Sequence, residues 1–301
     1  MPDETNYSPR DAASLGEPSK DETAKGRTGS LVAFPQARLP KKRPPDNLPL
    51  ELSSFVGRER EVARVERLLG GDARLVTLGG SGGCGKTRLA LAVAQDLIES
   101  FEDGVWWVEL ASLSDPKLVP GALASALGVR EVPDRSLTEV LVEHLETRKT
   151  LLVLDNCEHL VEECAALADT LLRACPELVI LATSREPLRI AGESIGMVPS
   201  LSLPDPGRLP PAEELARYEA VRLFLERVRA VDASFALTER NASAVAKLCR
   251  KLDGIPLAIE LAAARVRALT VEQISQRLED PLGLLTTGSR TAAPRHQTLR
   301  A

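Results

Sequence analysis

No stretch of this 301-residue chain is apolar over the roughly 18–20 residues that a membrane-crossing helix needs. Its first residues are charged and Pro-containing rather than basic and then apolar, so no secretory leader is expected and the cytoplasm is the expected location. Cysteine is scarce: Cys84, Cys157, Cys164, Cys175 and Cys249 are odd in number, far apart and free of any C-x-x-C pair, with only three histidines beside them. That spacing supports neither a disulfide framework nor a zinc site. Positive charge is also in deficit, the formal net charge being -5. Nucleic-acid backbones are gripped by clustered Lys and Arg, so direct DNA binding is not expected. The short basic run Lys41-Lys42-Arg43 reads as a solvated linker. What is present is ordinary for a soluble globular chain, 44% hydrophobic and 27% charged.

The pattern along the chain divides it into four parts. Residues 1–47 are polar and Pro-rich with few apolar anchors, too few to offset the entropy of ordering, and read as a tail. Residues 48–203 carry four short apolar runs fenced by polar residues: Leu75 to Leu78, Val105 to Val108, Leu151 to Leu154 and Leu178 to Ala182. Apolarity without alternation means burial on both faces, as in the centre of a parallel sheet. Segments of helical period alternate with them, Leu89, Val93 and Leu97 in one and Leu160, Cys164, Leu167 and Leu171 in another. A run at Ile195 to Val198 supplies a fifth strand. The expected fold class is therefore α/β, a parallel five-stranded doubly wound sheet. Residues 204–285 show helical pattern only, at Ala220 to Val228, Ala242 to Leu252, Leu257 to Val266 and Val271 to Leu278, and are expected to form a small all-helical domain. Residues 286–301 read as the start of a further element.

The chemistry is concentrated in Gly80-Ser81-Gly82-Gly83-Cys84-Gly85-Lys86-Thr87, a G-x-x-x-x-G-K-[ST] motif between a strand and a helix. The bare pattern arises by chance in roughly one 300-residue chain per hundred, and the flanking elements make it rarer. Gly82, Gly83 and Gly85 are expected to let successive N–H groups turn toward phosphate oxygens, with the N-terminus of the helix that Arg88 opens adding positive potential. Lys86 would neutralise the β- and γ-phosphates and Thr87 would ligate Mg²⁺. The expected ligand is ATP or ADP. Leu151-Leu152-Val153-Leu154-Asp155 is an apolar strand ending in a carboxylate, a Walker B arrangement, and Asp155 would hold Mg²⁺ opposite Thr87. Thr183-Ser184-Arg185 follows another strand, where ligands of open sheets bind, although on position alone Arg185 reads equally as a loop cap.

With these residues assembled, the chain resembles the STAND class of P-loop NTPases, and within it the NB-ARC-like module of bacterial LuxR-type and SARP-type regulators. The resemblance rests on Phe55-Val56-Gly57-Arg58-Glu59, the P-loop, the Asp155 strand, Thr183-Ser184-Arg185 and Gly254-Ile255-Pro256-Leu257-Ala258, in that order. It implies that Phe55 and Val56 flank the adenine, that Arg58 steadies their loop, that Pro256 closes over the base and that Arg185 reads the γ-phosphate. Cys84 and Arg88 fall within the same nucleotide-binding stretch. It also implies that Arg295 to Ala301 begin a winged-helix domain that the sequence cuts off.

One position departs from the wider class. Where a second acid often follows the Walker B aspartate, this chain has Asn156, which cannot accept a proton, so slow hydrolysis is expected. Glu158 is near enough to substitute and reads equally as a solvated helix-start residue. His144 and His159 read as structural. Three functions fit: an ATP/ADP signalling switch, with protein partners or self-association on ATP binding; a turnover ATPase of AAA+ type; and a nucleotide-stabilised interaction module without hydrolysis.

Overall fold

The computed structural model describes residues 43–278. Most of the expected tail, and the expected winged-helix start at 286–301, lie outside these residues.

The order of elements is α1 (Glu59–Leu69), β1 (Leu75–Gly79), α2 (Lys86–Asp96), β2 (Val105–Glu109), α3 (Val119–Leu127), α4 (Leu137–Leu145), β3 (Leu151–Asp155), α5 (Val161–Ala174), β4 (Val179–Thr183) and β5 (Glu193–Met197). Only helices follow among the described residues: α6 (Ala212–Leu215), α7 (Glu219–Val231), α8 (Glu239–Lys251), α9 (Pro256–Ala263) and α10 (Val271–Arg277). The five strands form one parallel sheet in the order β2-β3-β4-β1-β5. The expected α/β class and parallel sheet are thus observed, as are the helices beyond residue 203. α3 has no counterpart in the sequence expectations; Pro120 and Gly121 in its first turn mask its pattern, though Pro is tolerated there because those N–H groups lack helical partners anyway.

Each apolar run divides its side chains between two cores. In β3, Leu152 and Leu154 pack with α3, α4 and α5, while Leu151 and Val153 pack with α1 and α2. A third cluster fills the helical region, where Phe224, Val228, Val245, Cys249 and Ile259 are fully buried. Val56 and Leu201 belong to this cluster, so the segments before α1 and after β5 are packed into the helices.

Ordered pairing begins earlier than the sequence pattern suggests. Asp46 bridges Val105 in parallel, the Val105 N–H donates to Pro45 O at 3.1 Å, and the Asn47 amide clamps both main-chain groups of Trp107, at 2.9 and 2.6 Å. These polar residues gain order by completing hydrogen bonds on the sheet edge rather than by burying apolar surface.

The topology positions the site. From β1 the chain crosses to the far edge at β2 and returns through β3 and β4, while β5 adds on the other side of β1. The C-terminal ends of β1, β3 and β4 consequently converge beside the point where the winding reverses, which is where open α/β sheets present a crevice.

Candidate functional site

The loop after β1 owes its shape to glycine. Gly83 and Gly85 have φ of +75° and +95°, a region costly for a residue with a Cβ. Gly80 is the third positive-φ residue of the loop; Gly82 is not one, so the expected conformational role falls on Gly80 instead. Gly85 caps α2 without a side-chain hydrogen bond, and the first turn of α2 contains no acidic residue, so its N–H groups and partial positive charge face the loop uncountered. Lys86, 9% exposed, curls back so that its ammonium donates to Gly80 O at 2.9 Å and Ser81 O at 3.2 Å, spanning the loop.

Behind the loop, strand register sets a buried oxygen cluster. Leu154 lies opposite Ala182 and Leu78 opposite Thr183, which brings Asp155 beside Thr183. Asp155 Oδ1 accepts from the Thr87 hydroxyl at 2.8 Å and from the Thr183 hydroxyl at 2.6 Å, and the Thr183 oxygen accepts the Asn156 N–H at 2.8 Å. A hydroxyl and a carboxylate in contact form a hard-oxygen donor set, which suits Mg²⁺ held with nucleotide phosphates rather than in an all-protein cage. Among the described residues no group of three or more His, Cys, Asp or Glu could hold a metal by itself.

Asn156 and Glu158 take different courses. Asn156 has φ +69°, and its amide meets His159 Nδ1 at 3.3 Å while His159 Nε2 meets Leu113 O at 2.8 Å. A carbonyl can only accept, which assigns the ring proton to Nε2 and makes Asn156 the donor to Nδ1. The asparagine thus holds a structural histidine. Glu158 turns toward Arg185, Oε1 lying 3.4 Å from Nε, and its Oε2 is buried without a hydrogen-bond partner.

The opposite wall comes from the segment before α1 and from the helices. Arg58, in a left-handed conformation at φ +72°, is 3% exposed and donates through Nη2 to Cys84 O at 3.0 Å and Pro199 O at 2.5 Å. It ties the P-loop to the chain leaving β5. Its own N–H donates to Glu219 Oε1 at 2.9 Å, and Glu219 Oε2 accepts the Ser202 N–H at 2.9 Å. Burial alone would push the Glu219 carboxyl up, but the N–H groups of Arg58 and Ser202, the Ser202 hydroxyl and the Arg58 charge outweigh it, and the group titrates below its ordinary value. Pro256 is the first residue of α9, and Leu257 N–H donates to Gly83 O at 3.3 Å, seating that helix start on the P-loop.

Two arginines fasten this wall. Arg88 donates to both Glu51 oxygens at 3.1 and 3.0 Å and to Ser53 O and Ser54 O at 2.7 and 2.9 Å, and its guanidinium lies 5.9 Å from the Phe55 ring centre. Arg227 on α7 donates to Ser54 O at 2.8 Å and to Glu260 of α9 at 2.9 Å; Glu260 is also 3.5 Å from Arg88.

Together these parts enclose a cavity of about 300 Å³. Every candidate nucleotide, metal or catalytic residue from the sequence lines it except Gly80, which sits at the base of the loop, and Asp155, buried behind Thr87. Sequence reasoning missed Leu201, Leu223, Leu257 and Glu260, which also line it, and Arg227 and Glu219, which brace it. None belongs to a local motif except Leu257, which stands inside the Gly254 to Ala258 run already noted.

Comparison with known proteins gives a consistent picture. Residues 58–185 match the NB-ARC domain. A Mycobacterium tuberculosis protein provisionally named as an HTH-type transcriptional regulator is 47% identical over 228 residues, covering 76% of this chain and 24% of its own length. The regulatory protein AfsR of Streptomyces griseus is 30% identical over 295 residues, covering 89% of this chain and 28% of its own. The chain therefore spans about a quarter of the length of these relatives. Among solved structures, a Walker-type ATPase of Pyrococcus abyssi superposes with a TM-score of 0.51 at 18% identity, covering 76% of this chain and 73% of the other, a likeness of fold.

Proposed function

We propose that this chain, whose residues 58–185 match the NB-ARC domain, is an ATP/ADP-binding switch module with slow Mg-dependent hydrolysis, of the kind carried by transcriptional regulators. The supporting observation is a single cavity whose one side is the glycine loop with Lys86 and Thr87, and whose other side is apolar and capped by Pro256. A polyphosphate needs the first wall and a purine the second.

In this reading the loop N–H groups and the α2 N-terminus bind the α- and β-phosphates. Lys86, whose ammonium now satisfies the carbonyls of Gly80 and Ser81, transfers those hydrogen bonds to β- and γ-oxygens. Mg²⁺ would be held by Thr87 and, through water, by Asp155, and supplies charge neutralisation between the β- and γ-phosphates. Phe55, Val56 and Pro256 would enclose the base, with Arg58 fixing their loop against the P-loop. ATP differs from ADP only by its γ-phosphate, so a switch requires a group that contacts it, and Arg185 is proposed for that role. One charge-assisted hydrogen bond of about 1.5–3 kcal/mol gives a ten- to 150-fold preference. Protein partners or self-association on ATP binding, no direct DNA contact by these residues, and a cytoplasmic setting complete the proposal.

A non-hydrolysing interaction module is the second reading, favoured by Asn156, whose amide is engaged by His159 and cannot serve as a base. Denaturing the purified chain, chromatographing what is released and titrating the remainder with ATP and ADP tests both. Bound nucleotide, lost about ten- to 150-fold in affinity on Lys86→Ala, is expected. A wild-type chain that carries none and ignores both nucleotides would sink the site assignment; turnover of ATP separates the two readings.

A further inference from the structure

We propose that Glu158 competes with the γ-phosphate for Arg185, and so sets how strongly the site prefers a nucleoside triphosphate over a diphosphate. The inference rests on the nucleotide-site reading above and extends it to a residue that would act through its neighbour.

Three observations carry it. Glu158 and Arg185 line the same cavity as Lys86 and Thr87, so a terminal phosphate bound by Lys86 enters the space these two share. They are already paired, Nε to Oε1 at 3.4 Å. Finally, Glu158 makes no second bond among the described residues: its Oε2 is buried without a hydrogen bond, and the neighbouring Asn156 amide turns to His159. Arg185, with its side chain 39% exposed, has room to turn, whereas Glu158 at 21% is more confined.

One guanidinium thus faces two anionic claimants. A terminal phosphate carries more negative charge and can take two guanidinium N–H groups where Glu158 makes one contact at 3.4 Å, so Arg185 moves to it when it is present. Glu158 then loses its cation and gains a like charge nearby, which opposes triphosphate binding. A diphosphate asks for neither change. Glu158 therefore weakens ATP selectively, in the opposite sense to Arg185, and functions as a positioning residue that holds Arg185 aside until a γ-phosphate displaces it.

The test measures ATP and ADP dissociation constants for the 301-residue chain, wild type, Glu158→Gln, Arg185→Ala and the double variant. Removing the carboxylate's charge should raise the ATP-over-ADP affinity ratio about three- to tenfold, the scale of a partly exposed ion pair plus like-charge repulsion. Arg185→Ala should lower that ratio, and in its background Glu158→Gln should raise it by less than in wild type, by the relief of like-charge repulsion alone. Unchanged ADP affinity marks a folded chain; if Glu158→Gln loses it, Glu158→Asp, which withdraws the carboxylate from Arg185, should move the ratio the same way by less. A ratio that falls or stays fixed in a chain that binds ADP normally overturns the inference alone. So does an equal rise with and without Arg185. A wild-type chain that binds neither nucleotide overturns the site reading and this inference with it.

Discussion

At Gly83 backbone conformation and packing act on the same atom. The residue has φ +75°, and a Cβ there would stand 3.0 Å from Leu257 Cβ, on the helix start that closes the cavity. Gly83→Ala should therefore cost about 1–3 kcal/mol from the left-handed backbone and the crowding, and loosen Leu257 from the loop. A lower thermal midpoint together with weaker nucleotide binding is expected; a variant of wild-type stability would show that the loop relaxes freely. Glu219 makes a pH prediction. Its folded value lies below its ordinary 4.5, so its contribution is complete above that pH and is lost as pH falls through the lowered value. Glu219→Gln should accordingly flatten the acid limb of stability below pH 4.5 in urea-unfolding midpoints. Parallel acid limbs for the two proteins would remove Glu219 from the account.

Between elements the decisive contact is the clasp of α7 and α9 on the segment that precedes α1. Arg227 holds Ser54 O and Glu260 at once, and Arg88 grips the same short stretch from α2. None of these bonds needs a phosphate. Arg227→Ala should thus accelerate release of ATP and ADP alike, by about three- to thirtyfold for the loss of one or two charge-assisted bonds that are partly exposed. Stopped-flow displacement of a fluorescent nucleotide reads this directly. An effect confined to ATP would assign Arg227 to phosphate recognition instead. The same contacts show why the helical region cannot be understood from its own amphipathic pattern: its buried cluster includes Val56 and Leu201 from outside the helices, and Leu201 N–H bonds Gly254 O at 2.9 Å ahead of α9.

Across the whole molecule, the five cysteines report on its opening, because all are free and buried. Cys84, within the P-loop, is 1% exposed, while burial in the helical cluster pushes the Cys249 thiol up to about 12. A thiol reagent at neutral pH should modify the native chain slowly, and bound nucleotide should slow Cys84 further by holding the loop closed. Mass-spectrometric mapping in which bound nucleotide leaves the Cys84 modification rate unchanged would contradict this. Much of this architecture was legible beforehand. The four unbroken apolar runs and the G-x-x-x-x-G-K-[ST] spacing specify buried parallel strands and a phosphate loop because both depend on residues close in sequence. The site was legible to the same extent: Lys86 and Thr87 stand in one motif with Arg88 beside it, whereas Arg227 and Glu219 lie far along the chain from the segment before α1 that they brace, 173 residues from Ser54 and 161 from Arg58. By itself the sequence determined the fold class, the glycine-rich loop after β1 and the aspartate ending β3, since local backbone freedom and apolar periodicity dictate them. Only the tertiary structure decided that Asn156 serves a histidine, that Glu158 faces Arg185, and that two arginines lock the wall opposite the glycine loop. Those pairings depend on which strand ends and helix starts meet in space, and no local pattern encodes that meeting.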